Sequence, residues 1–337
     1  MADAGGVISR AREPWLDSLR VLAVIGVVVQ HACISRWMSL TGISWGARIV
    51  LGMASCSVAC LMLVAGYASA LSPAFGKRDR AYILRRLKRL GLPYVVWTAI
   101  FLVAQVYLPF GRPAPSLDIM SLVTGTGVYV VLWFLPALFY ANLIGWAIRR
   151  LRWRLIVGCA FLGLYLFQGS VVGLIELEPT GLFAALVWLS PWFALFLFGQ
   201  AAASIPADRF TSRGAVATIA AVGVAGIATA GYLSGRYYPV WPSPAPVFEW
   251  LTGSVAVFAL ILAARNRPNW RLLPSLSGVT LAIYIMHLPL LPLLSRLEPA
   301  GVVPWYVWVP ANVAIAIAVS GGVGALLSRT PLRFLVA

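Results

Sequence analysis

Residues 15–34 read WLDSLRVLAVIGVVVQHACI, a stretch in which apolar side chains predominate. An α-helix that crosses the hydrocarbon core of a bilayer needs about 20 mainly apolar residues. The apolar core here runs from Leu16 to Ile34, which is longer than the apolar region of a typical secretory signal peptide. We therefore expect this segment to be retained as a first spanning helix.

Ten segments of this kind lie between charged breaks and breaks rich in proline and glycine. They are continuously apolar and lack the alternation of a membrane β-barrel strand. The sequence therefore predicts an all-α polytopic membrane helix bundle, with a transmembrane domain at 16–328 between tails at 1–15 and 329–337. The predicted transmembrane helices cover residues 16–34, 48–71, 84–107, 128–148, 155–174, 181–203, 214–234, 247–264, 274–295 and 305–328.

The composition excludes an ordinary soluble domain. Of the 337 residues, 61% are hydrophobic and 11% are charged, whereas a soluble domain carries roughly 25% charged residues. A soluble chain this apolar would have too few polar residues to cover its surface, so lipid is the solvent that fits. The net charge of +16 does not indicate a nucleic-acid partner, because of where the charges fall.

The basic residues are distributed unequally between the two sides of the predicted bundle. With the N-terminus inside, 20 of the 26 Lys and Arg residues fall in inner segments. Cytoplasmic loops carry such an excess, which predicts cytoplasmic termini and a multi-pass protein of the inner (plasma) membrane. Most of these residues are expected only to set topology and to touch anionic lipid head groups. The outer loops hold Arg36, Arg48, Arg112, Arg236 and Arg296.

The four cysteines lie inside predicted helices and form no Cys-x-x-Cys pair. Buried cysteine commonly behaves as a small packing residue, so we expect neither a disulfide nor a bound metal. The four are Cys33, Cys56, Cys60 and Cys159.

Ionisable side chains inside the bilayer are costly and usually serve function, and the first predicted helix carries three of them. His31 follows Arg20 by eleven residues, which leaves an offset of about 20° and a rise of roughly 16 Å along an α-helix. Asp17, three residues before Arg20, can reach that guanidinium on the same side. A purely structural histidine bonded to a carbonyl would also explain His31 alone.

His287, the other histidine, lies in the ninth predicted helix, where Thr280, Tyr284 and His287 form a polar stripe at i, i+4 and i+7. At 1.5 Å per residue, His31 lies about 22 Å and His287 about 20 Å from the inner ends of their helices. The two helices run in the same direction. Equal depth in the outer half of the bilayer predicts that both histidines face one buried cavity.

The inner end of the third predicted helix lies in the basic segment YILRRLKRLGLPYVVW, residues 82–97. Arg86 and Arg89 lie one turn apart on one face if the helix is regular. Snorkelling to lipid phosphates would explain them, but with Arg20 at the same inner level they also suit a phosphate-bearing cofactor. Glu249, at the outer end of the eighth helix, is a candidate carboxylate for orienting a histidine.

Four segments in order resemble the bacterial acyltransferase-3 family of integral membrane acyltransferases. WLDSLRVLAVIGVVVQH is similar to the family's opening helix, and RRLKRLGLPYVVW to its Arg-x-x-Arg segment before a proline. VLWFLPALFY, which contains Trp133, is similar to its Trp-Phe-Leu helix, and LSGVTLAIYIMH to its late Ser-Tyr-His helix. The chain departs from the pattern at Ala65-Gly66-Tyr67, where relatives often have serine before the glycine.

The resemblance implies transfer of an acyl group, most often acetyl, from a coenzyme A thioester to a hydroxyl of a sugar-containing acceptor. In this reaction His31 would act as the general base. Tyr284 or protonated His287 would donate a hydrogen bond to the oxyanion. Arg20, Arg86 and Arg89 would bind the phosphates of coenzyme A. Direct transfer and an acyl-histidine intermediate both remain open. The expected partners are acyl-CoA, a glycan or glycoside acceptor and membrane lipids, with no metal and no nucleic acid.

A transporter or flippase of a lipid-linked or small-molecule substrate is the alternative. Such a protein usually carries several acidic residues near the middle of the membrane, which this sequence lacks. The acyltransferase hypothesis further predicts one continuous cavity. The arginines would surround its cytoplasmic mouth, both imidazoles would lie near its outer end, and Trp133, Glu249 and Asp17 would line it.

Overall fold

The computed structural model describes most of the chain, with gaps at both ends and in the connections between helices. The described residues are 13–37, 45–76, 80–107, 118–125, 127, 130–148, 150–175, 181–206, 212–237, 245–264, 274–297 and 303–336. Within these ranges the chain is helical apart from turns and contains no strand, as the continuous apolar runs predict.

The helices follow one another along the whole chain. They are α1 (Pro14–Trp37), α2 (Trp45–Ala70), α3 (Pro73–Gly76), α4 (Arg80–Arg86), α5 (Leu92–Tyr107), α6 (Ile119–Thr124), α7 (Phe134–Ala147), α8 (Leu151–Ile175), α9 (Gly181–Ala202), α10 (Arg213–Tyr237), α11 (Ala245–Ala264), α12 (Thr280–Arg296) and α13 (Trp305–Ser328). A π-helical turn at Leu87–Gly91 joins α4 to α5, and a 3-10 turn at Val130–Trp133 precedes α7.

Helix overlies each of the ten predicted segments, with ends that differ by several residues. By length and hydropathy, four described helical stretches are sufficient to cross a membrane: Pro14–Ser35, Ile49–Ala70, Arg80–Gln105 and Trp305–Ser328. Val131–Ala147, Leu186–Ala202, Gly214–Gly226 and Thr280–Arg296 are shorter apolar helices. The protein is therefore an all-α membrane bundle, while ten crossings and cytoplasmic termini remain predictions.

Helix α2 occupies the centre of the bundle and packs against α1, α9, α10 and α11. Two glycines allow α2 and α9 to approach closely. A Cβ on Gly66 would collide with the carbonyl oxygen of Phe196, and a Cβ on Gly199 would collide with that of Leu63. Small residues permit such backbone approach in membrane bundles, so Gly66 has a packing role in the Ala65-Gly66-Tyr67 segment.

Helix α1 also packs against α12 and α13, near the other end of the sequence. This arrangement brings the helix that carries His31 beside the helix that carries His287. The opposite face of α1 packs on α2, where the Trp15 and Tyr67 rings meet edge to face with centroids 5.1 Å apart. The position of α1 is therefore fixed from both sides.

The third predicted helix is interrupted at its basic segment. Pro93 has no backbone N–H and so cannot donate to the carbonyl of Arg89, four residues earlier. The π-helical turn Leu87–Gly91 lies at this point, and such local adjustments accommodate proline in membrane helices. The chain thus accommodates Pro93 through one wide turn that contains Arg89.

Candidate active site

The two histidines meet. Nδ1 of His31 lies 2.8 Å from Nε2 of His287, and the rings are stacked with centroids 5.0 Å apart and planes 27° from parallel. His287 is fully buried, at 0% exposure, whereas His31 is partly exposed. The two imidazoles therefore lie side by side, as their equal predicted depth requires. That both face one cavity, and that both take part in catalysis, stay predictions.

The hydrogen bonds of His287 fix where the protons lie in the neutral pair. Nδ1 of His287 is 3.0 Å from the carbonyl oxygen of Ile283, and a carbonyl only accepts, so this nitrogen carries a proton. Nε2 of neutral His287 is then an acceptor, and it accepts from Nδ1–H of His31. The unprotonated nitrogen of neutral His31 is therefore Nε2.

Aromatic rings continue from the histidine pair across the bundle. Tyr284, 4% exposed, lies with its ring centroid 6.1 Å from that of His287 and 4.9 Å from that of Phe134. Phe134 follows Trp133, whose ring is edge-to-face with it at 6.0 Å. Trp133 thus reaches the region of the histidines through two intervening rings.

Two further tryptophans pack against Trp133. The Trp133 ring lies 4.8 Å from that of Trp188 and 4.9 Å from that of Trp192, both on α9. Sequence reasoning did not single them out. The available signal was their spacing, since tryptophans four residues apart lie on one face of a helix.

Asp17 and Arg20 form an ion pair at the start of α1. Nη1 of Arg20 donates to Oδ1 of Asp17 at 2.8 Å, as the i, i+3 spacing predicts. The Arg20 side chain is 32% exposed and that of Asp17 is 15% exposed. Because α1 is continuous, Arg20 and His31 are roughly 16 Å apart along its axis.

The other two predicted phosphate ligands have different surroundings. The guanidinium carbon of Arg86 lies 5.1 Å from the centroid of the Tyr82 ring, a cation–π contact. Arg89 lies in the π-helical turn and is exposed. The expectation of one shared face assumed a regular α-helix, and the π-helical turn changes the angle between the two side chains. A common mouth formed with Arg20 remains a prediction.

The Glu249 prediction falls outside what the structure describes. Glu249 lies in α11, but the structure does not describe its side chain or those of its neighbours. A carboxylate partner for the histidines therefore stays a prediction.

Buried polar side chains that the sequence did not reveal hold α7 from two sides, one on α4 and one on α8. Tyr82 donates to Oδ1 of Asn142 at 2.7 Å, and Nδ2 of Asn142 donates to the Leu138 carbonyl at 2.7 Å. Arg154 is only 7% exposed, and its Nε donates to the Ile148 carbonyl at 3.0 Å. Arg154 therefore supports the end of α7, although its place in a basic segment suggested contact with lipid head groups.

A cavity of about 320 Å³ lies elsewhere, between α2, α8, α9 and α11. None of the predicted site residues lines it. The continuous cavity from the arginines to the histidines is therefore not this one and remains a prediction.

A contacting histidine pair, with one of its two rings fully buried, inside an all-α membrane bundle defines a membrane protein with a candidate active site. The acyltransferase domain family matches residues 13–327, so the chain belongs to the acyltransferase-3 family and is a membrane acyltransferase. The match includes every predicted site residue. Among curated proteins and among solved structures, the comparisons found no match.

Proposed function

We propose that the protein moves an acyl group, with acetyl expected, from a coenzyme A thioester to a hydroxyl of a sugar-containing acceptor across the inner (plasma) membrane. The observation that carries this proposal is the 2.8 Å contact between Nδ1 of His31 and Nε2 of His287. It orients one imidazole with its unprotonated nitrogen directed away from its partner, as a general base requires.

In this mechanism, Nε2 of His31 takes the proton from the acceptor hydroxyl while the hydroxyl oxygen attacks the thioester carbonyl. The positive charge that develops on His31 is stabilised by the hydrogen bond from its Nδ1–H to His287. When the tetrahedral intermediate collapses, the carbon–sulfur bond breaks and the proton on Nε2 passes to the departing thiolate. Protons and electrons balance without a metal or a redox partner.

His287 takes a positioning role in this proposal. Its Nδ1 is held by the Ile283 carbonyl and its Nε2 by His31, so both ring nitrogens are occupied in keeping His31 in one tautomer. The oxyanion donor is then assigned to Tyr284, whose buried ring lies beside the pair. This assignment replaces the alternative in which protonated His287 acts as donor.

Arg20, Arg86 and Arg89 are assigned to the phosphates of the acyl donor, because guanidinium groups bind phosphate with paired hydrogen bonds. The rise of roughly 16 Å from Arg20 to His31 is comparable to the arm that separates the phosphates of coenzyme A from its sulfur. This spacing supports entry of the donor from the cytoplasm and of the acceptor from outside.

The activity is tested with purified protein and acetyl-CoA labelled in the acetyl group. Hydrolysis or transfer of the label, absent in His31→Ala, supports the enzyme. Binding without turnover in the wild type supports the transporter alternative instead. Rapid-mixing native mass spectrometry at neutral pH separates the two routes, because an acyl-histidine intermediate adds the mass of one acetyl group and direct transfer adds none.

Transfer across the membrane requires the predicted orientation. Cysteines introduced beside Arg78 and Arg150 should react with an impermeant reagent only from the cytoplasm, and one beside Glu178 only from outside. The opposite labelling pattern would overturn the orientation and, with it, the direction of transfer. Comparing surface glycans and secreted glycosides with and without the gene identifies the acceptor.

A further inference from the structure

The cavity between α2, α8, α9 and α11 has no part in the proposed reaction. Its volume is about 320 Å³, roughly twice that of an engineered apolar cavity of about 150 Å³ that stays dry and binds benzene. Among its described lining residues, Ser254 alone carries a polar side chain. Such a space suits a hydrocarbon ligand and offers nothing to bind a sugar.

Part of the cavity lining reaches the outer surface of the bundle. Leu151 and Leu155 of α8 belong to its lining, and each is 42% exposed. Toward the interior of the bundle, the lining includes Pro191 and Ala194 of α9, which are buried. A ligand can therefore enter between helices from the lipid without passing through the bundle.

The length of the cavity matches one leaflet. On α8 the lining runs from Leu151, the first residue of the helix, to Leu162. On α9 it runs from Pro191 to Ala202, the last residue of the helix. Each stretch rises roughly 16 Å, close to half of the bilayer's hydrocarbon thickness of about 30 Å. Leu151 and Ala202 mark the same end of the cavity, and the charge distribution assigns this end to the cytoplasmic side.

Two arginines lie at the cytoplasmic end of the cavity. Arg150 and Arg152 flank Leu151 and are exposed, and the Arg152 guanidinium lies 5.7 Å from the centroid of the exposed Trp153 ring. Arginine beside an exposed tryptophan is typical of the membrane interface. An anionic group at this position would be attracted to both arginines, whereas a zwitterionic head group would gain less.

We propose that this cavity binds an acyl chain of an anionic phospholipid from the cytoplasmic leaflet, with the phosphate head group on Arg150 and Arg152. The chain fills the space between α8, α9 and α11, where the protein's own side chains leave a gap. The site is separate from the proposed acyl-transfer site and does not depend on its chemistry.

Native mass spectrometry of the full-length protein in detergent tests the site, with dipalmitoyl phosphatidylglycerol as probe and dipalmitoyl phosphatidylcholine as the zwitterionic reference. We expect one phosphatidylglycerol to be retained in preference to phosphatidylcholine. Ala194→Phe, which fills the cavity, and Leu155→Trp, which narrows its opening, should abolish this preference. Arg152→Gln should weaken phosphatidylglycerol retention by about fivefold.

Two matched controls keep the test specific. Ala314→Phe adds the same ring at an exposed position on α13, and Arg85→Gln removes an exposed charge from α4; both should bind phosphatidylglycerol like the wild type. Unchanged retention in both cavity variants overturns the proposal, as does equal retention of the two lipids by the wild type. Displacement of the lipid by palmitoyl-CoA also overturns it, because the cavity would then hold the acyl donor's chain.

Discussion

The two ends of α1 are built in different ways. Near its C-terminal end, His31 contacts a residue of another helix, fully buried His287, at 2.8 Å. Near its N-terminal end, Arg20 pairs with Asp17 of the same helix and keeps 32% of its side chain exposed. The first arrangement depends on how helices pack, and the second needs only one helical turn.

This difference suits two tasks. Bond-making benefits from groups held in advance at fixed positions, because no reorganisation is then needed during reaction. Capture of a charged substrate from water benefits from side chains that remain accessible. We therefore expect substitutions at the histidine pair to lower kcat, and substitutions among the arginines to raise the donor's KM.

The largest effect is expected at His31. His31→Ala should lower acyl transfer by about 10²–10⁴-fold, the usual contribution of a general base, while the protein inserts and purifies normally. Initial rates with labelled acetyl-CoA measure the loss, and Gln30→Ala on the neighbouring position serves as control. Activity retained within about tenfold would remove His31 from the base role.

His287 should give the next largest effect. His287→Ala removes the acceptor for Nδ1–H of His31 and should lower kcat by about 10–100-fold, the usual contribution of a hydrogen bond to a charged group. Both KM values should stay nearly unchanged. His287→Asn should recover part of the loss, because its amide oxygen can accept that hydrogen bond. If the pair acts as a unit, the double variant with His31→Ala will be no slower than His31→Ala alone. Additive losses would show that the two histidines act separately.

The shared depth of the two histidines could be predicted from the sequence. Helix direction follows from charge distribution, and depth follows from a fixed rise per residue, so His31 and His287 could be placed at one level. Their contact then required only that α1 and α12 be neighbours, which the structure confirms.

The rest of the site was harder to predict because it depends on packing between helices that are distant in sequence. Trp188 and Trp192 join Trp133 only because α7 packs on α9. Arg154 resembles its basic neighbours in sequence, yet the Phe75 ring and the Ile148 carbonyl hold it inside. The π-helical turn at Arg89 was missed because a regular helix had been assumed.

The arginines of the third predicted helix should give a smaller, differently distributed effect. Arg86→Gln and Arg89→Gln should each raise the donor's KM by about tenfold, since hydrogen bonds to charged groups contribute roughly 1.5–3 kcal/mol. The acceptor's KM should change less. Arg85→Gln provides the control, being adjacent, exposed and unassigned. Lower expression with unchanged kinetics would instead assign Arg86 and Arg89 to lipid anchoring.

Asp17 should give the smallest effect. Its ion pair with Arg20 is partly exposed, and such pairs contribute about 0.2–1 kcal/mol. Asp17→Asn should therefore raise the donor's KM by less than about fivefold and leave kcat unchanged, because Arg20 keeps its charge and loses only its ion pair with Asp17. Arg20→Gln, which removes the charge itself, should raise the same KM further. Steady-state kinetics with varied acetyl-CoA rank the two variants. If Asp17→Asn lowers kcat as severely as His31→Ala, the N-terminal end of α1 takes part in the chemistry, and the division between a fixed site at His31 and an adaptable site at Arg20 is wrong.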